Sequence, residues 1–301
     1  ATLSYDPFIT GCLLLGAAAM LSFFDAVRRE DRGAALRDFA LMSGAYVLGC
    51  LPKAVYAPMV LMPFAVLLKP GMERKDRRRL TGFLIVSLII FAGLIGSFIL
   101  PTVMAPAETG DLRGGATSEV SQVGYILQDP LGYAMLLIRM IISWIPQCFI
   151  GPDCTTFMGA LVNGSTAFQG YYVPYSLLIL WLCVTEPLLD EREAIPGALQ
   201  KLWIFLMTGA CSVLIWTSMY VAFTVPGSDI IAGVQGRYFI PLMYPLYLLF
   251  YLPKERAGAI RLWLGGKLES HMSLWYYLMM TIPAALLCVT VWSTVISRFA
   301  I

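Results

Sequence analysis

Three short polar segments adjoin long apolar runs of this sequence, and each carries residue types that could do chemistry. They are Ser4-Tyr5-Asp6-Pro7, Pro52-Lys53-Ala54-Val55-Tyr56 and Gly233-Val234-Gln235-Gly236-Arg237-Tyr238-Phe239. In the third segment the glycines permit a tight turn, Gln235 can donate and accept hydrogen bonds, and Arg237 presents a planar fork that suits a phosphate. The segment therefore predicts a phosphate or diphosphate clamp. The alternative is a tight loop whose arginine contacts lipid headgroups.

Lys53 lies between apolar stretches, where a cation is costly. A charge at the centre of a membrane helix costs about 2.5 to 3.5 kcal/mol on insertion scales, so such a residue usually faces a cavity, a counter-ion or a ligand. The alternative is that the long side chain reaches the headgroups from a turn near the surface. Two cations repel each other when they are close, unless they share an anion. We therefore expect a phosphate-binding group consisting of Lys53, Tyr56, Gln235, Arg237 and Tyr238.

Asp6 precedes a proline, an arrangement typical of the first turn of a helix. A carboxylate there caps free N–H groups and complements the helix dipole. The functional alternative makes Asp6 a general base or an anchor for a substrate hydroxyl. It is the catalytic candidate of the sequence.

The elements that must position these groups are membrane helices. Of the 301 residues 58% are hydrophobic and 13% are charged, whereas about 25% are charged in soluble domains. The apolar residues form runs of about 17 to 25 residues, the length of a helix that crosses a hydrocarbon layer of ~30 Å. The sequence therefore predicts an all-α, polytopic helical bundle with about seven to nine membrane segments. We expect residues 1–301 to form one multi-spanning domain, the C-terminal part of a longer protein.

Basic residues between the apolar runs predict the orientation of the chain. They concentrate in three segments, 25–38, 69–79 and 253–273. The positive-inside rule assigns these segments to the cytoplasmic side. The remaining runs are 7–24, 80–104, 173–184, 202–225, 238–252 and 274–296.

The apolar stretch 39–68 has a basic segment at each end, so a single crossing would place one of them on the wrong side. Pro52 lacks a backbone donor and disfavours helical angles in the residue before it. We therefore predict a hairpin of two short helices, 39–51 and 54–68. Its turn places Lys53 on the face opposite the basic segments, together with Arg237.

If the run 131–150 crossed the membrane, a further crossing would be needed to keep the later basic segment on the cytoplasmic side. Arg139, Trp144 and Pro146 favour a helix in the outer interface or a re-entrant helix. The alternative is a true span, with residues 157–168 folded back to compensate. The polar, glycine-rich stretch before it, 105–130, is too hydrophilic to enter the membrane.

Several chemistries fail on residue type. The single histidine, His271, lies in a predicted cytoplasmic segment, which excludes a histidine metal cluster or a Ser-His-Asp triad on the outer face. There is no Walker-type loop, and a net charge of +2 does not indicate nucleic acid. No cofactor is expected, and a divalent-metal requirement stays open. Cys148 and Cys154 lie in a predicted outer segment, where a disulfide is permitted.

The segments Ser4-Tyr5-Asp6, Lys53-Ala54-Val55-Tyr56-Ala57-Pro58 and Gly233-Val234-Gln235-Gly236-Arg237-Tyr238-Phe239 with Pro241 resemble, in that order, bacterial membrane proteins of the domain of unknown function 2142 family. The resemblance spans nearly the whole chain. That family is grouped with the GT-C glycosyltransferases, which transfer a sugar from a polyprenyl-phosphate carrier at the outer face of the membrane. The resemblance implies this fold, a lipid-linked sugar donor, and a multi-pass protein of the bacterial inner membrane with its active site outside.

In such enzymes an acidic residue in the first outer loop usually serves as the base or positions the acceptor. The resemblance implies that this loop precedes the present chain, so the principal acid would come from a missing N-terminal segment or from another membrane subunit. The leading hypothesis is a lipid-linked glycosyltransferase or its membrane core. The alternatives are a transporter or flippase for a lipid-linked or anionic substrate, and a structural membrane subunit without chemistry.

Overall fold

The computed structural model describes residues 6–68, 74–104, 116–150 and 196–249, with a few helical positions between 277 and 285. The chain divides into two compact units. The first consists of Ala1–Trp144, Pro196–Val234 and Tyr238–Leu249, and the second of Ile145–Ile195, Gln235–Arg237 and Phe250–Ile301. All regular structure in the described ranges is helical, which confirms the all-α class for that part of the chain.

Helices α1 (Asp6–Arg28) and α2 (Arg32–Cys50) are joined by a short connection. Glu30 adopts a left-handed φ of 60°, and its N–H and that of Asp31 donate to carbonyls of the last turn of α1 at 3.3 and 3.0 Å, as in a Schellman motif. The Asp31 side chain then caps the first turn of α2. The predicted charged loop 25–38 is therefore helical over most of its length, because these caps let both helices extend into the charged residues.

Small residues bring α1 and α2 into close contact. A Cβ atom on Gly16 would lie 3.0 Å from the Tyr46 ring, and one on Gly49 would lie 2.9 Å from Cβ of Cys12. Close backbone approach of this kind is a common packing device between membrane helices.

The predicted break at Pro52 is present. Helix α2 ends at Cys50, and the chain turns through Leu51 and Pro52 into a 3₁₀ helix, Ala54–Leu68, which we call the 3₁₀ segment. Leu51 keeps helical angles, with φ −56° and ψ −43°. The helix therefore ends because Pro52 has no N–H to continue the hydrogen bonding, and the expected displacement of its predecessor does not occur.

The 3₁₀ segment runs back along α2 and closes a hairpin. Only residues 69–73 separate it from α3 (Arg74–Met104). In the first third of α3, Phe83 packs on Phe39 of the N-terminal half of α2, with ring centroids 5.8 Å apart. The hairpin prediction is confirmed in its break and its reversal. Its second arm is a 3₁₀ helix instead of the predicted α-helix, because two prolines inside the arm disfavour the α form.

The 3₁₀ geometry lets a short segment cover the thickness of a membrane. A 3₁₀ helix rises about 2.0 Å per residue, so 15 residues reach ~30 Å. Runs of this length are uncommon, and side chains of α6 (Ala198–Phe223) support this one. Trp203 Nε1 donates to the Leu61 carbonyl at 3.0 Å, and Gln200 Nε2 donates to the Ala65 carbonyl at 3.2 Å. These two side-chain bonds tie the 3₁₀ segment to α6.

In the described part of the chain, three helices are long and apolar enough to cross a membrane. The stretches concerned are Asp6–Val27 in α1, Leu80–Pro101 in α3 and Ala198–Phe223, which is α6. They correspond to three of the predicted runs. Within the described ranges the number of candidate spans is three, or four if one bent helix pair is a single span. The predicted total of about seven to nine stays a prediction, because 157–168, 173–184 and most of 274–296 lie outside the described residues. Cys154 and the side chain of Cys148 also lie outside the described part, so the question of a disulfide between them stays open.

The bent pair is α4 (Glu119–Gln128) followed by α5 (Pro130–Ile150), which we call the elbow. Its two axes differ by 106° at Asp129, a geometry that fits either a broken span or a re-entrant loop. The Asp129 carboxylate accepts a hydrogen bond from Gly132 N–H at 2.8 Å and so starts α5. The polar stretch 105–130 thus contains a helix. Both interpretations of 131–150, re-entrant or crossing, stay open.

The starts of α2 and α3 and the end of α1 meet at one end of the first unit. Ser22 of α1 donates to the buried Asp38 of α2 at 2.5 Å, close to the ring pair that joins α2 to α3. Exposed arginines cluster at this end, which we call the basic end: Arg29, Arg32, Arg37, Arg77 and Arg78.

The short helix α7 (Ile240–Leu248) is followed by a residue whose contacts place the end of this helix near the basic end. Lys201, at the start of α6, donates to the carbonyl of Leu249 at 3.2 Å, and its neighbour Gln200 contacts the end of the 3₁₀ segment. Lys53 lies beyond the far end of α2, 19 residues and therefore about 28 Å from the start of that helix. The predicted separation of Lys53 from the described basic segments is confirmed; the membrane side of each end stays a prediction.

Candidate functional site

Lys53 occupies the turn of the hairpin. Its backbone N–H donates to the Cys50 carbonyl at 3.2 Å, and its carbonyl accepts from Tyr56 N–H at 3.1 Å. The ammonium lies 4.1 Å from the centroid of the Tyr238 ring and 5.9 Å from that of Tyr56. Cation–π attraction at such distances contributes about 0.5 to 1 kcal/mol at exposed sites and ~2 kcal/mol when desolvated. The rings thus hold the ammonium in place without removing its charge.

A second contact joins the same two tyrosines. The Tyr56 hydroxyl donates to the Tyr238 carbonyl at 2.7 Å, and the Cys50 thiol donates to the Tyr56 carbonyl at 3.0 Å. Tyr56 is only 1% exposed. Its hydroxyl proton therefore serves the fold, and the structure brings Lys53, Tyr56 and Tyr238 of the predicted group together although 182 positions separate the two tyrosines.

Gln235 and Arg237 lie directly before Tyr238 in the chain. Gln235 is half-buried, and Gly236–Tyr238 forms one 3₁₀ turn. The side chain of Arg237 is outside the described part of the structure, so its convergence with Lys53 stays a prediction.

Asp6 is the first residue of α1 and is half-buried. Its backbone carbonyl accepts a hydrogen bond from Thr10 Oγ1 at 2.9 Å. A carboxylate in the first turn complements the helix dipole, which is the structural role considered for Asp6; its catalytic role stays a prediction. Across the described ranges, no group of three or more His, Cys, Asp and Glu side chains could hold a metal ion.

Two residues that the sequence did not single out hold the start of the loop that leads to Arg237. They are Thr224, the first residue after α6, and Gln122 of α4, which contacts it. Both are 0% exposed. Gln122 Nε2 donates to the carbonyls of Thr224 and Val225 at 2.9 and 3.3 Å. Thr224 Oγ1 accepts from Ala232 N–H at 3.1 Å. The available signal was Ser118, a typical N-cap residue, which places Gln122 within a helix.

Gly233 shapes the same loop. Its φ is +78°, which residues with a Cβ rarely adopt. A Cβ atom here would also lie 2.3 Å from Cδ1 of the Phe223 ring. The neighbouring Val234 is buried. The tight turn predicted from Gly233 is therefore confirmed, and both its angles and its packing require glycine.

A comparison with known protein families gives one match for this chain. The model of a family described as predicted membrane protein (DUF2142) matches residues 1–246. The matched range includes Lys53, Tyr56 and the whole segment 233–239. No curated protein and no solved structure matches the chain.

Proposed function

We propose, from the premise that this chain belongs to the domain of unknown function 2142 family of predicted membrane proteins, that it is a membrane glycosyltransferase or the membrane core of one. Its donor would be a sugar linked to a polyprenyl phosphate, and its site would face the outside of the bacterial inner membrane. The membrane-protein class follows from the family and from the apolar helices. The donor, the reaction and the side of the membrane are the proposal.

The observation that carries the proposal is the placement of the Lys53 ammonium, 4.1 Å from the Tyr238 ring centroid. Arg237 directly precedes Tyr238 in the chain. In our proposal Arg237 binds the lipid-linked phosphate through its planar fork and Lys53 adds a point charge. As the bond to the sugar breaks, charge grows on the leaving phosphate, and fixed cations stabilise it.

The position of Lys53 along α2 suits the binding of a lipid phosphate. Lys53 lies at the end of the first unit opposite the basic end, about 28 Å along α2. Such a separation approaches the thickness of the hydrocarbon layer, ~30 Å. A site at that level would meet the phosphate of a carrier lipid while the isoprenoid tail lies along apolar helices. Asp6 would act as base or anchor for the acceptor hydroxyl.

A second candidate, a transporter or flippase for a lipid-linked or anionic substrate, is favoured by the elbow. Broken helices commonly form substrate sites in transporters, and α4 and α5 meet at 106°. Such a protein would move its lipid between leaflets and leave the sugar bond intact.

The test uses the full-length protein in lipid nanodiscs with a radiolabelled polyprenyl-phosphate sugar. Membranes from a strain that lacks the protein supply the acceptor. A glycosyltransferase releases polyprenyl phosphate and labels the acceptor. In liposomes, a flippase changes the leaflet of the intact donor and releases no phosphate.

Variants test the clamp. Arg237→Ala should lose about 1.5 to 3 kcal/mol of donor binding or transition-state stabilisation, which is about 10- to 150-fold. Arg237→Lys keeps the charge but not the fork, so it should reduce transfer more than it alters thermal stability. Lys53→Met should also reduce transfer, whereas Arg78→Ala, at the basic end, is the matched control. Full transfer by Arg237→Ala and Lys53→Met would refute the clamp.

A further inference from the structure

The loop between α6 and α7 is closed at its root by a fully buried hydroxyl. Thr224 donates from Oγ1 to the Met219 carbonyl at 3.0 Å and accepts from Ala232 N–H at 3.1 Å. One side chain therefore joins the end of α6 to a residue eight positions later. The loop returns to its starting point before it reaches Gly233.

A second buried side chain, from the elbow, holds the same root. Gln122 lies in α4, and its amide donates to the carbonyls of Thr224 and Val225 at 2.9 and 3.3 Å. Those carbonyls lie past the last turn of α6, where the helix no longer supplies partners. Gln122 thus fixes the first peptide groups of the loop, and Thr224 fixes its return.

The far side of the loop is also fixed. Gly233 packs under the Phe223 ring and Val234 is buried. Tyr238 then receives the Tyr56 hydroxyl on its carbonyl at 2.7 Å. Between these anchored positions the chain has only three residues, 235–237, which include the two candidate phosphate ligands.

We propose that Thr224 and Gln122 are positioning residues that hold the loop in the conformation in which Gln235 and Arg237 bind a lipid-linked phosphate. This inference rests on the proposed function. Neither side chain touches the ligand, since both are fully buried. They act through the backbone: a loop fixed before binding loses less conformational freedom when the anion binds.

The structure supplies a matched control for Thr224. Thr208 is also buried, at 1% exposure against 0%, and belongs to the same helix-and-loop unit. Its hydroxyl donates to the Ile204 carbonyl at 2.7 Å, within its own helix. Replacing either threonine by valine removes a buried hydroxyl of the same size, but only Thr224→Val frees the loop.

The experiment compares the full-length wild type, Thr224→Val, Thr224→Ser and Thr208→Val in nanodiscs. The probe is farnesyl phosphate, with farnesol as the uncharged reference, and the readouts are the Kd, the Tm and hydrogen exchange of residues 225–234. We expect Thr224→Val to weaken farnesyl phosphate binding about tenfold or more, since small misplacements of binding groups cost up to ~100-fold. Hydrogen exchange of the Ala232 N–H should accelerate in Thr224→Val. Thr224→Ser keeps the hydroxyl, so it should have the binding affinity and the exchange rate of the wild type.

Thr208→Val should bind like the wild type even if its Tm falls. Gln122→Leu should resemble Thr224→Val in Kd. If the wild type binds farnesyl phosphate no better than farnesol, the proposed phosphate site itself fails, and the inference with it. If the wild type binds but Thr224→Val and Gln122→Leu bind equally well, the positioning role alone is overturned. Equal weakening by Thr224→Val and Thr208→Val would likewise overturn it, because it would reflect a general loss of packing.

Discussion

Replacing Gly233 by alanine would face an unfavourable backbone angle and also a clash with a neighbouring ring. The same replacement at Gly227, in the same loop, would face only the unfavourable backbone angle. Gly227 and Gly233 have nearly the same backbone angle, φ +79° and +78°. A Cβ on Gly227 has its nearest neighbour, the Tyr125 hydroxyl, at 3.8 Å, whereas one on Gly233 would lie 2.3 Å from the Phe223 ring. The pair therefore separates the cost of the backbone conformation from the cost of the clash.

Gly227→Ala should lose only the backbone contribution, about 1 to 2 kcal/mol for a left-handed residue with a Cβ. Gly233→Ala should lose that amount and in addition the cost of overpacking against the ring, about 1 to 3 kcal/mol. The total for Gly233→Ala is then about 2 to 5 kcal/mol. Adding Phe223→Leu to Gly233→Ala should recover part of the overpacking cost, since the two residues are in contact and are not additive.

The assay is unfolding of the purified protein in mixed detergent micelles, with increasing sodium dodecyl sulfate, followed by far-UV circular dichroism. The free energies of unfolding of the two alanine variants are compared with the wild type under one set of conditions. Equal losses for Gly227→Ala and Gly233→Ala would refute the reasoning, because they would show that the Phe223 ring does not occupy the space beside residue 233.

Two further predictions concern the ends of the first unit. Leu51 is 56% exposed. In a cysteine-free background, Leu51→Cys should therefore react with a membrane-impermeant maleimide on intact cells, whereas Arg78→Cys should react only after permeabilisation. The reverse pattern would invert the proposed orientation. Ser22→Ala should lose about 1.5 kcal/mol of stability, the lower end of the range for hydrogen bonds to charged groups, because Ser22 donates to one oxygen of the buried Asp38 carboxylate at 2.5 Å while Arg37 stays bonded to the other oxygen. Ser97 is exposed like Ser22 but is bonded only to its own helix. Ser97→Ala should therefore change stability by at most about 0.5 kcal/mol, and a Ser22→Ala variant that matches it would contradict the assignment.

The spans and the break of the hairpin could be predicted because they depend on local properties. An apolar run of membrane length needs no partner to be identified, and Pro52 removes a backbone donor wherever it stands. The two prolines inside the second arm are visible in the sequence and disfavour an α-helix there, but they do not by themselves select a long 3₁₀ helix. That form is supported by Trp203 and Gln200, which reach its carbonyls from more than 130 positions away in the sequence.

Part of the site was predictable for a different reason. The positive-inside rule placed Lys53 and the segment 233–239 at one end of the bundle, and the contact between Lys53 and Tyr238 agrees with that placement. What the sequence did not reveal is the use of each polar side chain. Tyr56, a predicted ligand-binding residue, donates its hydroxyl proton to the Tyr238 carbonyl, and nothing in the sequence indicated that Thr224 and Gln122 hold the same loop. A hydroxyl or amide shows its partner only after distant segments have packed.

The 3₁₀ segment also gives the exposure of its side chains a period of three residues. Side chains three positions apart lie above one another in a 3₁₀ helix. In its C-terminal half Leu61, Phe64 and Leu67 are half-exposed with buried pairs between them, and the terminal Leu68 is half-exposed as well. Tolerance to substitution should therefore recur every third residue here, and not at the spacing of an α-helix. A single inserted residue would turn everything before it by a third of a revolution, which would carry Lys53 away from the ring of Tyr238.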